Sequence, residues 1–252
     1  MSQIIEVVER YIIPDFPDID LPEEDGIPLE TDWHRLQINL LDDLVTHRWR
    51  DRTDFFAGGN MFIYYSLQQA RNRDYRGPDF FVVKGVDGSY SRQKWVVWEE
   101  NGRYPDVIIE LMSPSTAQED LGSKKELYER TFRTSDYFCY DPDKQHLYGW
   151  RLGERGYISL TLDEYGRLWS AQLEAWIGPW EGMYLQEQSI WLRLFDADGG
   201  LIPTEAEAEH QRAEAEHQRA QAERQRAEAA EAEVTRLRQE LARRQGRSGK
   251  GS

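Results

Sequence analysis

The sequence predicts an α/β protein of α+β character: a mixed β-sheet flanked by helices, a β-rich extension, and a long C-terminal helix. Three observations carry that expectation. Val107, Ile108, Ile109, Leu111 and Met112 form an apolar run without polar alternation, the pattern of a strand covered on both faces. Helical spacing precedes and follows it, with Trp33, Leu36, Leu40 and Leu44 on one stripe and Asp120, Lys124, Tyr128 and Phe132 on another. From Glu207 the motif EAEHQRA recurs at a strict period of seven.

Taken in order, residues 1–29 are rich in Pro and Asp and read as an irregular arm. The spacing predicts a helix from Thr31 to about Trp49. The stretches DFFAGGNMFIYYSL and GPDFFVVKGVDGSY set aromatic and β-branched residues around glycine turns and predict strands. QKWVVWEENGRYPDVIIELM predicts a further strand, an Asn101-Gly102 turn and the buried strand, paired as a hairpin. A helix over LGSKKELYERTF follows, capped by Asp120 or by Thr116, which has capping-box spacing to Glu119. DYFCYDP predicts the next strand, and the Gly-punctuated segments up to residue 203 predict further hairpins.

Residues 204–245 predict one long helix, since Ala, Glu, Gln and Arg are good helix formers, and residues 246–252 a flexible terminus. Ala206, Ala213, Ala220, Ala227, Val234 and Leu241 share one heptad position, but three residues on stand Glu209, Glu216 and Glu223. A coiled coil, and with it a homo-oligomer, is expected only toward Val234–Leu241. A solvated single helix held by charge pairs is the alternative.

The 252 residues carry a formal charge of −15, and residues 204–252 hold ten acidic and ten basic side chains, so the excess lies in residues 1–203. That balance argues against a nucleic-acid groove, whose usual footprint is basic. A single cysteine, Cys139, excludes an intrachain disulfide framework. The N-terminus lacks a basic start and a continuous apolar core, and no apolar run reaches the roughly 18–20 residues of a membrane span. A soluble, cytoplasmic protein without membrane contact is expected.

Glu110 does not suit its strand, because an unpaired carboxylate in such a place costs several kcal/mol. Asp79 stands at the mouth of the preceding predicted strand, so pairing of the two strands would bring both carboxylates to one end of the sheet. They would repel each other and raise each other's pKa. A divalent cation removes the conflict, since Mg²⁺ takes a few carboxylate oxygens and keeps several waters. The following helix offers Lys124, one turn in, with Lys125 as its neighbour and rival.

GPDFFVV, PDVIIELMSPST, DLGSKKELY and DYFCYDP together resemble the Uma-two family of the PD-(D/E)XK nuclease superfamily, over about Glu30 to Asp141. The resemblance implies a restriction-endonuclease-like sheet over residues 30–203 and metal-assisted hydrolysis of phosphodiester bonds in DNA. It implies Asp79 and Glu110 as ligands of Mg²⁺ or Mn²⁺, Lys124 as the catalytic cation and Glu30 as an additional carboxylate. The superfamily usually carries its lysine two residues after the acid on the same strand. Here that position is Met112, and the family's pattern of a lysine displaced to the next helix fits Lys124. Arg71, Arg73 and Arg76, just before Asp79, are the candidate phosphate contacts. His34 is a further candidate for the cleft.

Structural readings stand beside these. Glu110 could pair with Lys124 without metal, Asp79 could be an ordinary strand-start aspartate, and Glu30 could be a charge favourable to a helix N-terminus. The arginines could be solvated loop residues and His34 an ordinary helix histidine. The alternatives to a Mg²⁺-dependent endonuclease are a non-catalytic nuclease-fold module acting through its helical tail, which the acidity favours, and a glycosidase using the carboxylate pair. The last assigns no part to Lys124.

Overall fold

The computed structural model describes residues 31–72 and 77–248, with side chains through residue 239. The expected arm, Glu30, Arg73, Arg76 and residues 249–252 lie outside that range. Helix α1 (Asp32–Arg48) starts where the spacing predicts: Thr31 Oγ1 accepts from the His34 N–H at 3.3 Å. His47 and Arg48 occupy its last turn, where cations complement the helix dipole. Leu40, Leu41 and Leu44 are fully buried along its inner face.

In chain order there follow β1 (Phe55–Gly59), β2 (Ile63–Tyr64), the short α2 (Leu67–Arg71), β3 (Phe80–Lys84), β4 (Trp95–Val96) and β5 (Val107–Leu111). Residues after β5 form one helical segment: α3 (Ala117–Glu119), a π-helical stretch Asp120–Lys124, α4 (Lys125–Leu127) and a second π-helical stretch Tyr128–Phe132. It is called the site helix below. Then come β6 (Asp136–Asp141), β7 (His146–Gly153), β8 (Gly156–Ser159), β9 (Leu168–Ser170), β10 (Ala175–Tyr184) and β11 (Glu187–Phe195). The tail is α5 (Glu205–Ser248).

Among the described residues the main sheet has six strands in the order β1-β3-β5-β6-β7-β8. Only β5 and β6 run parallel; the other neighbours are antiparallel. Parallel neighbours need a crossover, and the site helix is that crossover. The sheet is covered on both faces. Phe80, Val82, Ile109 and Phe138 point toward α1 and the second sheet, β11-β10-β9, with Ile177, Trp191 and Leu192. Phe81, Ile108, Tyr137 and Cys139 point toward the site helix, with Tyr128 and Phe132. This double burial is why β5 shows no alternation of polarity. Gln37 is buried in the apolar face of α1 because it completes the edge of β11: it donates to Leu192 O at 2.9 Å and accepts from Leu192 N at 2.7 Å.

Two local expectations are corrected. The Asn101-Gly102 turn forms, with φ of 52° and 74°, but it does not close a hairpin. β4 pairs in parallel with β2, while β5 pairs with β3. Asn-Gly specifies a local turn; the ladder partner is chosen by packing elsewhere. Nor does Thr116 cap the site helix with Glu119. Ser113 does so three residues earlier, accepting from Thr116 N at 3.2 Å while Thr116 Oγ1 accepts from Ser113 N at 3.1 Å.

The start of α5 is held firmly. Thr204 and Glu207 form a reciprocal capping box, with N–H to oxygen distances of 2.8 and 3.2 Å. Arg193, fully buried, donates to Glu207 at 2.7 Å, and its guanidinium lies 4.8 Å from the centre of the Trp180 ring. Beyond His210 every described side chain of α5 is exposed, including Val234 and Leu237. No helix among the described residues is long and apolar enough to cross a membrane.

Candidate active site

The register of β3 against β5 pairs Phe80 with Ile109. One step further, Asp79 faces Glu110, and by the period-two rule both side chains point to the site-helix face. Asp79 exchanges hydrogen bonds across the strands with Glu110 and its neighbour Leu111. Asp79 N donates to Glu110 Oε2 at 3.2 Å, and Leu111 N donates to Asp79 Oδ2 at 2.6 Å. Glu110 has no solvent exposure. Its other oxygen, Oε1, accepts from the Tyr128 hydroxyl at 2.8 Å.

The site helix brings Lys124 onto this pair. Its Nζ lies 3.3 Å from Glu110 Oε2 and 2.8 Å from Asp120 Oδ1. Four residues of α-helix overshoot a full turn by about 40°, so a stripe at i+4 spacing would wind off the site within two steps. The wider π turn over Asp120–Lys124 under-rotates and takes back part of that drift. Asp120, Lys124 and Tyr128 therefore stay over Glu110. Lys125 is directed elsewhere, with its Nζ 4.2 Å from the centre of the Trp150 ring.

Burial pushes the Glu110 carboxyl up to about 8; the Lys124 ammonium opposes the rise, and the charges of Asp79 and Asp120 add to it. Asp79 is likewise raised by burial, against the pull of Lys124 and the Leu111 N–H. Burial works against the ammonium of Lys124, but the carboxylates of Glu110, Asp120 and Asp79 outweigh it and hold the group above the usual lysine range. Burial, then the charge of Glu110, lifts the Tyr128 hydroxyl well above its ordinary value.

These residues fit a divalent cation by charge. Two carboxylates meet one ammonium and the charge of Asp79 adds to theirs, while Asp120 Oδ2, although buried, has no hydrogen-bond partner among the described residues. Among those residues no three His, Cys, Asp or Glu side chains are arranged as a ready chelate. Mg²⁺, which binds through one or two carboxylates and keeps its waters, does not require one.

Of the other candidates, His34 does not join the carboxylates. Helix α1 packs on the opposite face, and the imidazole meets Leu111 O at 3.2 Å and Thr31 Oγ1 at 2.8 Å. Arg71 ends α2 and is exposed. Three contributors escape sequence reasoning. The sequence marks Asp120 as a possible cap and, with Tyr128, as a member of the Lys124 stripe, but gives neither a role. It marks Gly59 as part of a turn, yet Gly59 lies on β1 where a Cβ would press into the Asp79 carbonyl oxygen and the Ile38 side chain. An acid four residues before the lysine is the one available signal for Asp120.

A mixed sheet carrying two facing carboxylates at one end, met by a lysine from the crossover helix, defines a carboxylate–lysine site on an α/β frame. The chain belongs to the Uma2 family, described as "Putative restriction endonuclease", whose family model matches residues 20–179. The match takes in the whole main sheet and stops within β10. Membership in that family supports a nuclease. The chain is also similar to a crystal structure from Anabaena variabilis titled as a "putative nuclease belonging to DUF820". The identity is 15% and the TM-score 0.39, over 55% of this chain and 71% of that one. No curated protein matches the sequence.

Proposed function

We propose that the protein is a divalent-metal-dependent endonuclease hydrolysing phosphodiester bonds of DNA in the cytoplasm, with residues 30–203 as its nuclease-like domain. The observation that carries the reading is the opposition of Asp79 and Glu110 beneath Lys124, whose Nζ is 3.3 Å from Glu110. Asp79 and Glu110 would hold Mg²⁺ or Mn²⁺. A divalent ion bound there supplies charge neutralisation of the phosphate and acidifies a coordinated water. Lys124 keeps 16% side-chain exposure while Glu110 has none, so of the two it is the side chain that meets solvent. Held between two carboxylates in a largely buried setting, it stabilises charge growing on the phosphate. Tyr128 and the Asp79 N–H each occupy one Glu110 oxygen and fix the plane of that carboxylate. Glu30 is assigned as an additional carboxylate, and Arg71, Arg73 and Arg76 as phosphate contacts that offset the acidic surface locally.

The test is a titration of the protein with Mg²⁺ or Mn²⁺, reading calorimetric binding and nicking of supercoiled plasmid. Cleavage is expected only with metal and should be lost in Lys124→Ala. Neither binding nor cleavage by the wild type would turn the assignment to a second reading, a non-catalytic module acting through α5. The formal charge of −15 favours that reading.

A further inference from the structure

Asp120 is the one member of the buried cluster without a role in the reading above. Its side chain is 1% exposed, Oδ1 lies 2.8 Å from the Lys124 ammonium, and Oδ2 has no hydrogen-bond partner among the described residues. Its main chain is held from two sides. The carbonyl accepts from the Tyr137 hydroxyl of β6 at 2.7 Å, and the N–H donates to Thr116 O at 3.0 Å. The carboxylate is thus buried with Oδ1 met only by the ion pair and Oδ2 by no donor among the described residues, which calls for a charge-based reason.

Lys124 has two counter-ions, and only one of them is expected to change partner. A divalent cation taking Glu110 would compete with the ammonium for that carboxylate and repel it. A lysine on a strand beside the metal ligands is held by the strand itself. Lys124 sits on a helix with a flexible four-carbon stem, and it would swing toward solvent unless a second anion kept it. Asp120 is already the nearer of the two, at 2.8 Å against 3.3 Å. We infer that Asp120 is a positioning residue: it anchors the Lys124 ammonium beside the carboxylate pair when a divalent cation occupies Glu110, and it does not itself ligate the cation. The catalytic consequence rests on the nuclease reading; the anchoring does not.

Acetylation of the intact protein, followed by mass spectrometry, reads the anchoring directly. In the wild type, saturating Mn²⁺ should leave the rate at Lys124 unchanged. In Asp120→Asn with Mn²⁺ it should rise by roughly tenfold or more, the scale on which a supporting partner matters. Calorimetric Mn²⁺ affinity of that variant should stay within about tenfold of wild type. Turnover should fall about 10–100-fold with KM unchanged, recover in part in Asp120→Glu, and show no further loss when Asp120→Asn is added to Lys124→Ala.

Faster acetylation of wild-type Lys124 on adding Mn²⁺ would overturn the inference, and this measurement needs no variant to fold. So would a larger loss of Mn²⁺ affinity in Asp120→Asn, which would make Asp120 a ligand, or additive losses with Lys124→Ala. Absence of cleavage in the wild type, with the Mn²⁺ and acetylation results as expected, would sink the nuclease reading and leave the anchoring supported.

Discussion

Glu110→Gln in the absence of metal separates a strained metal site from a simple buried ion pair. In the folded protein burial raises the Glu110 carboxyl from 4.5 to about 8. For an acid raised on folding, stability is full below the unfolded pKa. It is lost as pH climbs, and the loss is complete once pH passes the folded value. The window here is therefore pH 4.5 to about 8. At about 1.4 kcal/mol per pH unit for one proton, the loss across it is on the order of 3–5 kcal/mol. An amide in place of the carboxyl would remove that dependence. The amide carbonyl can keep the Asp79 N–H and the Lys124 ammonium, while the amide NH₂ turns to donate to the Tyr128 oxygen. Lys124 is not stranded, because Asp120 remains 2.8 Å away. Urea unfolding in EDTA should therefore show the variant equal to wild type at pH 5 and more stable at pH 8. If Glu110 is instead the indispensable partner of Lys124, the variant should lose on the order of 3–5 kcal/mol at pH 8. That result would refute the reasoning and remove the case for a metal at this carboxylate.

Lys125→Ala should leave plasmid nicking unchanged while Lys124→Ala abolishes it, since only Lys124 reaches the carboxylates; equal losses measured side by side would count against the assignment. Gly59→Ala should displace the Asp79 carbonyl that its Cβ would meet, lowering both the melting temperature and the calorimetric Mn²⁺ affinity; an unaltered affinity would show that β1 does not set the position of Asp79. Truncation after Ala213 should leave the unfolding free energy of the remainder unchanged. Truncation after Pro203 strands the buried Arg193 and should cost on the order of 3 kcal/mol, so equal stability of the two truncations in urea would show that the Arg193–Glu207 pair does not anchor the tail.

By itself the sequence determined the frame and half of the site. An apolar run interrupted by Glu110, a Pro-Asp at the next strand mouth, helical stripes and a seven-residue repeat are local periodicities. They survive in one dimension because side-chain direction depends on a residue's own neighbours. The tertiary structure decided what depends on partners far apart in the chain. β4 took β2 instead of β5 because a turn motif does not choose a ladder partner. Asp120 was drawn into the site by a π turn over Asp120–Lys124 that no propensity scale marks, and Lys125, off the stripe of Lys124, was sent to the Trp150 ring. The importance of Gly59 exists only because β1 lies beside β3 and the Asp79 carbonyl. The state of Glu110 could not be read from an apolar pattern either. It follows from burial and from one ammonium and two further carboxylates brought to its strand by two other segments, and electrostatic energies of that kind exist only once the chain has folded.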